Sequence, residues 1–179
     1  MFFAGIVVLT NIAFNVAFDT DTRCPSWVYY DIAPTNIVVT NRFSHGFSTD
    51  PRVAESDNAL DYGKSGFDRG HMAPAADFNF NRKALAETYL FSNICPQSPT
   101  LNRGEWAQIE REVRTLAKEQ ETHVLTFPAF EPMETNLMGR VRIPCGFYKV
   151  AWGAFGVKIW HVSQEVETPE KTVPPPLQP

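Results

Sequence analysis

Apolar side chains near the start of the chain recur on every second residue, which is the period of a β-strand with one buried face. This alternation runs over residues 12–18, and residues 27–32 and 37–40 are rich in aromatic and β-branched side chains. A turn that contains a proline is predicted between these strands, at residues 23–26. The largely apolar residues 1–10 predict a first strand in front of them.

The period changes in the middle of the chain, after a long polar segment. Residues 44–70 are interrupted by glycines and prolines and therefore predict a loop, and a short β-rich piece is predicted at residues 89–92. After Asn102 the apolar positions are spaced by three or four residues, which places them on one face of a helix that runs to about Gln120. These positions are Trp106, Ile109, Val113 and Leu116.

The last part of the chain returns to strands and then loses any regular pattern. Strands are predicted at residues 123–127, 147–152 and 157–162. The end of the chain carries five prolines, which can continue neither a sheet nor a helix. Since 179 residues is a length typical of one domain, the sequence predicts a single domain over residues 1–165 and a proline-rich, disordered tail over residues 166–179.

Charge and cysteine content narrow the choice of function and compartment. The formal net charge of -4 gives no overall basic surface, so any nucleic-acid binding must come from cations clustered at a site. The three cysteines Cys24, Cys95 and Cys145 have no zinc-binding spacing; one disulfide stays open, and free thiols are the simpler expectation. The first basic residue is Arg23, so a secretory signal is not expected, and the location is open with a leaning towards the cytoplasm or another intracellular compartment.

The segment at residues 67–77 places an acid, a base and a histidine around a glycine directly after the long loop. In the sequence Asp68-Arg69-Gly70-His71, the imidazole of the histidine can accept a proton from water near neutral pH, because the unperturbed pKa of histidine is about 6.5. The alternative is a buried histidine that only satisfies its hydrogen bonds within a strand.

A second segment, residues 92–106, leads into the predicted helix. Asn102 precedes that helix and is either a helix cap or an oxygen ligand for magnesium, an ion that keeps most of its waters and needs few protein groups. Glu110 follows eight residues later, which is about 12 Å at 1.5 Å per helical residue, so it is expected to reach such an ion through a water molecule.

Taken together, these segments resemble the DNA/RNA non-specific endonucleases. The resemblance rests on Asp-Arg-Gly-His at residues 68–71, on Asn-x-x-Pro-Gln at residues 93–97, on Leu-Asn-Arg-Gly-x-Trp at residues 101–106 and on the helix residue Glu110. Looser similarity, at Thr-Asn-Arg over residues 40–42 among other places, extends it to about residues 7–165.

The resemblance implies a role for seven residues of this chain. His71 would be the general base, Asn102 the direct metal ligand and Glu110 a carboxylate that acts on the metal through water. Two arginines would stabilise the negative charge of the phosphorane-like state, and two further residues would support the site. These are Arg42 and Arg69 for the charge, and Asn93 and Asp68 for support.

The resemblance also implies a fold, a reaction and partners. The fold would be α+β, with a central mostly antiparallel sheet, flanking helices and a ββα-metal catalytic motif. The reaction would be Mg²⁺-dependent hydrolysis of DNA and RNA, with Mn²⁺ as a substitute metal, low sequence specificity and 5′-phosphate products. No membrane partner is expected, whereas a homodimer and a protein inhibitor stay open.

Two other functions compete with this hypothesis. The first is a nuclease-like module that has lost activity and only binds a protein or nucleic acid, and fold alone does not exclude it. The second is a sequence-specific nicking enzyme, which would need a base-reading module for which the chain has no room. The presence of all the expected site residues favours the active enzyme.

Overall fold

A six-stranded antiparallel sheet forms the centre of the computed structural model, which describes residues 5–37, 45–131 and 137–164. Its strand order is β1-β2-β3-β6-β9-β10. The strands are β1 (Ile6–Thr10), β2 (Phe14–Asp19), β3 (Cys24–Ile32), β6 (Thr122–Ala129), β9 (Gly146–Gly153) and β10 (Gly156–Ser163). The predicted α+β class with a mostly antiparallel central sheet is therefore confirmed.

The remaining elements lie in or next to the connections of this sheet. Two short antiparallel pairs are β4 (Asp68–His71) with β5 (Ile94–Gln97), and β7 (Leu137–Met138) with β8 (Val141–Arg142). Three helices are α1 (Arg82–Thr88), α2 (Pro99–Arg103) and α3 (Glu105–Glu119). The pair β4-β5 and the two helices that follow it carry most of the predicted site.

Helix α3 covers one face of the sheet because its apolar side chains form a single stripe. Trp106, Ile109, Val113 and Ala117 are buried along it, so the stripe ends at Ala117 where Leu116 was expected. The ring of Trp106 lies 5.5 Å from that of Phe147 on β9, measured between centroids. This contact fixes the start of α3, and with it the end of α2, against the centre of the sheet.

The opposite face of the sheet is also apolar. Its side chains Trp27, Tyr29, Leu125, Phe127 and Trp152 are only partly buried and, with neighbours on β1 to β3, line a cavity of about 620 Å³. None of the predicted site residues within the described part of the chain lines that cavity.

Two predictions of local structure need correction, and one helix was not predicted. Residues 89–92 are not a strand, because α1 ends at Thr88 and the next strand begins at Ile94. The predicted turn at residues 23–26 is mostly strand: β3 begins at Cys24, and Pro25 is tolerated at a bulge where its partner strand shifts register. Helix α1 was not predicted, and the side chain of Asn81 caps it by accepting the amides of Lys83 and Ala84.

Several predictions fall wholly or partly outside the described residues. Arg42 and the predicted tail at residues 166–179 lie outside the described residues. The same is true of most of the strand expected at residues 37–40. Within the described part of the chain, Cys24, Cys95 and Cys145 are free thiols. Of the helices described, none is long and apolar enough to cross a membrane.

Candidate active site

The pair β4-β5 sets out the first half of the site. Its register places Gly70 opposite Cys95 and His71 opposite Ile94. Because side chains alternate along a strand, Arg69 and His71 lie on one face of β4, and Asp68 lies on the other. The sequence Asp-Arg-Gly-His therefore sends the arginine and the histidine to one face and the acid to the other.

Gly70 allows the two strands to approach each other. A Cβ atom added at this position would lie 2.3 Å from Cδ and Oε1 of Gln97, and the side chain of Gln97 is fully buried. Gln97 therefore has little space to move away, and position 70 needs a residue without a side chain.

We expect the Gly70→Ala variant to be destabilised by about 1–3 kcal/mol, the usual cost of overpacking, and to lose most of its activity because β4 is displaced. The free energy of unfolding from urea titration measures the first effect. Gly46→Ala is the matched control, since nothing lies within 4 Å of its added Cβ. Adding Gln97→Ala to Gly70→Ala should restore part of the lost stability; no recovery would contradict this contact as the cause.

His71 is held between aromatic rings. Its ring centroid lies 5.4 Å from that of Phe47 and 5.0 Å from that of Tyr89, the latter in an edge-on arrangement. Nε2 of His71 is buried and has no hydrogen-bond partner among the described residues. Burial lowers the pKa of His71 from 6.5 to about 4, so the imidazole is neutral at physiological pH and can accept a proton.

This shift predicts a pH-dependent loss of stability. Because the folded pKa of His71 lies below the unfolded value, the unfolded chain binds the extra proton as the pH falls from 6.5 to 4, and unfolding becomes more favourable over that window. We expect a histidine NMR titration to give a midpoint near pH 4. A His71→Gln variant should lose less stability than the wild type between pH 6.5 and 4; equal losses would contradict the assignment.

Asn93 supports the chain just after His71. Its side-chain oxygen accepts the amide of Ala73 at 2.9 Å, and its side-chain nitrogen donates to the carbonyl oxygens of Ala73 and Thr88 at 3.0 and 2.9 Å. Its backbone carbonyl accepts the amide of Met72 at 3.0 Å. A fully buried amide side chain thus fixes the exit of β4.

Asn102 lies in the short helix α2, which the side chain of Ser98 caps. Its Nδ2 donates to Oδ2 of Asp68 at 2.9 Å, and Arg103 donates two bonds to the same carboxylate at 2.8 and 2.7 Å. The hydrogen bond from Arg103, followed by that from Asn102, lowers the pKa of Asp68, so the carboxylate is ionised and only accepts. The amide of Asn102 must therefore turn its nitrogen to Asp68, which leaves Oδ1 available.

Glu110 lies on α3 and not on the helix of Asn102. The two helices are separated at Gly104, where a Cβ atom would lie 2.5 Å from the carbonyl oxygen of Thr100. Asn102 is therefore not the cap of the long helix. It also does not lie on the same helix as Glu110, although the predicted spacing between the two residues assumed one continuous helix. Burial raises the pKa of Glu110 to about 7, while Lys149 opposes this rise.

Arg69 is surrounded by aromatic rings and not by acids. Its guanidinium carbon lies 5.2 Å from the ring centroid of Phe47, 5.7 Å from Tyr62 and 6.0 Å from Phe91. No ion pair with Arg69 is found among the described residues, so its charge is oriented by π-faces and is not neutralised. Phe47 contacts both Arg69 and His71, and so ties the two together.

Several groups around the site were not identified from the sequence. Asp77 forms a buried ion pair with Arg114 at 2.9 Å, and Lys149 is fully buried on β9. Arg52, Arg103 and Arg114 each pair with an aspartate. The pairs of Arg103 with Asp68 and of Arg114 with Asp77 span 35 and 37 positions, and no local spacing reveals them.

The residues present fit a weakly coordinated magnesium ion. In the described residues no three His, Cys, Asp or Glu side chains cluster closely enough to hold a metal. Mg²⁺ does not require such a cluster, since it usually retains several waters and binds one or two protein oxygens. Oδ1 of Asn102, which Asp68 orients, is an oxygen of that kind, and the carboxylate of Glu110 on α3 is a second candidate donor.

A strand pair that carries a histidine, followed by helices that carry an asparagine and a glutamate, defines the ββα-metal class of nuclease folds. The chain belongs to the DNA/RNA non-specific endonuclease family, whose model matches residues 3–172. The family expected from the sequence is therefore confirmed.

Individual relatives agree with this assignment. Mitochondrial endonuclease G of Bos taurus is 33% identical over 162 residues, which cover 82% of this chain and 54% of that protein. Nuclease C1 of Cunninghamella echinulata var. echinulata is 31% identical and is matched over 82% of this chain and 69% of its own length. The solved structure of an EndoG/EndoGI complex, titled as a mechanism of EndoG inhibition, superposes with a TM-score of 0.80 at 27% identity, over 93% of this chain and 79% of that one. The chain spans about half the length of the mitochondrial endonuclease G relatives.

Proposed function

We propose that this protein is a Mg²⁺-dependent endonuclease that hydrolyses phosphodiester bonds in DNA and RNA with little sequence specificity. The observation that carries the proposal is His71, a neutral histidine whose buried Nε2 has no partner among the described residues and which shares a strand face with the unpaired cation Arg69. A histidine that only served the core would have its ring nitrogens satisfied.

The metal would be held by Asn102 directly and by Glu110 through a water molecule. A bound Mg²⁺ neutralises charge on the scissile phosphate and on the leaving oxygen. A neutral amide ligand leaves the ion nearly its full charge, which a cage of carboxylates would reduce. Mn²⁺, which favours the same oxygen ligands, is expected to substitute.

His71 would accept a proton from the attacking water through a ring nitrogen. The water oxygen would then bond to phosphorus while the bond to the 3′ oxygen breaks, and the 3′ oxygen would take a proton from solvent water, so that the products carry a 5′-phosphate and a 3′-hydroxyl. Arg69 would stabilise the charge that develops on the phosphate oxygens, because a guanidinium binds two of them at once and does not titrate. Arg42 is proposed for the same role from the family resemblance.

Low sequence specificity follows from the kind of contacts available. Exposed basic residues near the site elements, such as Lys64, Lys83 and Arg111, can contact phosphates, which position a strand without reading its bases. The formal charge of -4 adds no general attraction for nucleic acid. Binding should therefore weaken steeply with added salt, and this dependence should come only from the local contacts with phosphates.

Two further partners are proposals at this stage. A protein inhibitor is suggested by the EndoG/EndoGI complex among the structural neighbours. A homodimer stays a prediction, as does the assignment of residues 1–165 to one nuclease domain.

The direct test is digestion of supercoiled plasmid and of total RNA by the purified protein, with Mg²⁺ or with EDTA. We expect both substrates to be degraded only with the metal, and the DNA fragments to be substrates for ligase because they carry 5′-phosphates. Fragments that need phosphorylation before ligation would contradict the proposed polarity. Retained binding without cleavage under any divalent metal would favour the inactive binding module.

A further inference from the structure

Lys149 is a cation placed at the centre of the sheet. It lies on β9 between Thr126 of β6 and Trp160 of β10, and no part of it is exposed. Lysine is almost never fully buried unless it is paired, because removing an ammonium group from water is costly. A buried lysine in this position therefore needs a reason beyond packing.

The ammonium group of Lys149 joins the sheet to the end of β4. Its Nζ donates to Oγ1 of Thr126 at 2.7 Å and to the carbonyl oxygen of Met72 at 3.4 Å. Met72 is the residue that directly follows His71. The shorter bond anchors the ammonium group on the sheet, and the longer one reaches the backbone behind the predicted base.

Asn93 and Lys149 together account for every backbone polar group of Met72 and Ala73. Both amide groups and the carbonyl of Ala73 bond to Asn93, and the carbonyl of Met72 bonds to Lys149. Asn93 lies in the 3₁₀ turn directly before β5, so it moves with the pair β4-β5. Lys149 is the contact in this set that connects that pair to the central sheet.

The same ammonium group faces helix α3. It lies 4.8 Å from the ring centroid of Trp106 and 5.8 Å from that of Tyr30. Trp106 and Glu110 are four residues apart and share a face of the helix. Burial lowers the pKa of Lys149 to about 8, while Glu110 and Asp77 raise it and the nearby cation Arg114 lowers it further.

We propose that Lys149 is a positioning residue that holds the backbone behind His71 at a fixed distance from α3, the helix that bears Glu110. It touches neither substrate nor metal in this scheme. Its effect rests on the proposed nuclease function, in which the base and the metal-bearing helices must keep one geometry during attack. Misplacement of a reacting group by about 1 Å can lower a rate about 100-fold.

The test compares the variants Lys149→Met and Thr126→Val with the wild type. Methionine keeps the length of the side chain without its charge or donors, and valine removes the acceptor that anchors the ammonium group. Lys158→Met, on an exposed position of β10, is the matched control. Two quantities are measured: steady-state cleavage per folded molecule, and hydrogen exchange of the backbone amides by NMR.

We expect Lys149→Met to lower kcat by about 10- to 100-fold with KM changed less than about threefold, the range seen when residues that orient a metal site are lost. The amides of Met72 and Ala73 should exchange at least about tenfold faster, while that of Val16 on β2 keeps its rate. Thr126→Val should show the same pattern more weakly, and Lys158→Met should match the wild type.

Two outcomes would overturn the proposal. One is wild-type kcat and wild-type exchange at Met72 and Ala73 in both variants. The other is faster exchange of all core amides alike, with kcat per folded molecule unchanged, which would mean that Lys149 only stabilises the fold. A wild type that cleaves nothing would remove the proposed nuclease function, yet the exchange rates would still decide whether Lys149 fixes this segment.

Discussion

Replacing His71 by alanine is expected to lower kcat for plasmid cleavage by about 10²- to 10⁴-fold, the usual contribution of a positioned general base. The reason is the Nε2 atom of His71, which is buried at the end of β4 and has no hydrogen-bond partner among the described residues. Removal of the ring leaves the water without a proton acceptor, while the oriented amide of Asn102 is untouched. Metal affinity, measured by Mn²⁺ electron paramagnetic resonance, should therefore stay within about threefold of the wild type.

His161→Ala is the matched control for this variant. His161 is exposed on β10 and stacks on Tyr148, with ring centroids 4.4 Å apart, so it tests the loss of an aromatic contact away from the site. We expect it to cleave as the wild type does. A His71→Ala protein that is folded and as active as the control would contradict the assignment of the base.

Replacing Asn102 by alanine is expected to affect both metal binding and rate. The half-saturating Mg²⁺ concentration should rise at least about tenfold, and kcat at high metal should fall by about 10²-fold or more, because a metal-bound phosphate is stabilised by several kcal/mol. The variant also removes a hydrogen bond to Asp68, but Arg103 still holds that carboxylate through two bonds. The fold of α2 should therefore survive.

Asn79→Ala provides the control for the loss of an asparagine. Asn79 bonds only weakly, to the carbonyl of Ala76 at 3.4 Å, and lies away from the predicted site residues in the sequence. The metal dependence of this control should equal that of the wild type. An unchanged Mg²⁺ requirement in Asn102→Ala would show that the amide oxygen is not the ligand.

The central sheet and the long helix could be predicted because their patterns are local. The strand predicted at residues 123–127 lies within β6, where every second side chain is buried, and Trp106, Ile109 and Val113 lie buried on α3 as their spacing predicts. The strand expected at residues 12–18 begins two residues later, because Ile12 is 53% exposed and precedes β2. A single sequence cannot show which of several apolar residues ends an element.

Where local patterns conflicted with tertiary contacts, the prediction failed. The apolar run at residues 89–92 looked like a strand, yet Phe91 and Ser92 form a tight turn that buries both side chains beneath the loop. Pro25 suggested a turn, but the bulge opposite it lets β3 begin earlier. The break between α2 and α3 depends on Gly104 and its close approach to Thr100, which no period records.

The short segments that carry the site could be recognised, but the contacts that organise them could not. The bond between Asp68 and Asn102 spans 34 positions, and that between Lys149 and Met72 spans 77. Lys149 sits in a strand pattern as an ordinary polar residue, and only its burial shows that it faces the core. Arg69 was expected to bind phosphate, but the sequence did not predict that aromatic rings orient it.

In the proposed reaction, His71 and a metal bound at Asn102 act together on a phosphodiester bond. The most direct measurement is the initial rate of plasmid cleavage by the wild type, His71→Ala and Asn102→Ala at equal folded concentration, each across a Mg²⁺ titration and with EDTA. We expect cleavage that requires metal in the wild type, a lower plateau at unchanged metal requirement in His71→Ala, and a lower plateau with a shifted metal requirement in Asn102→Ala. Wild-type rates in both variants, or cleavage by the wild type in EDTA, would contradict it.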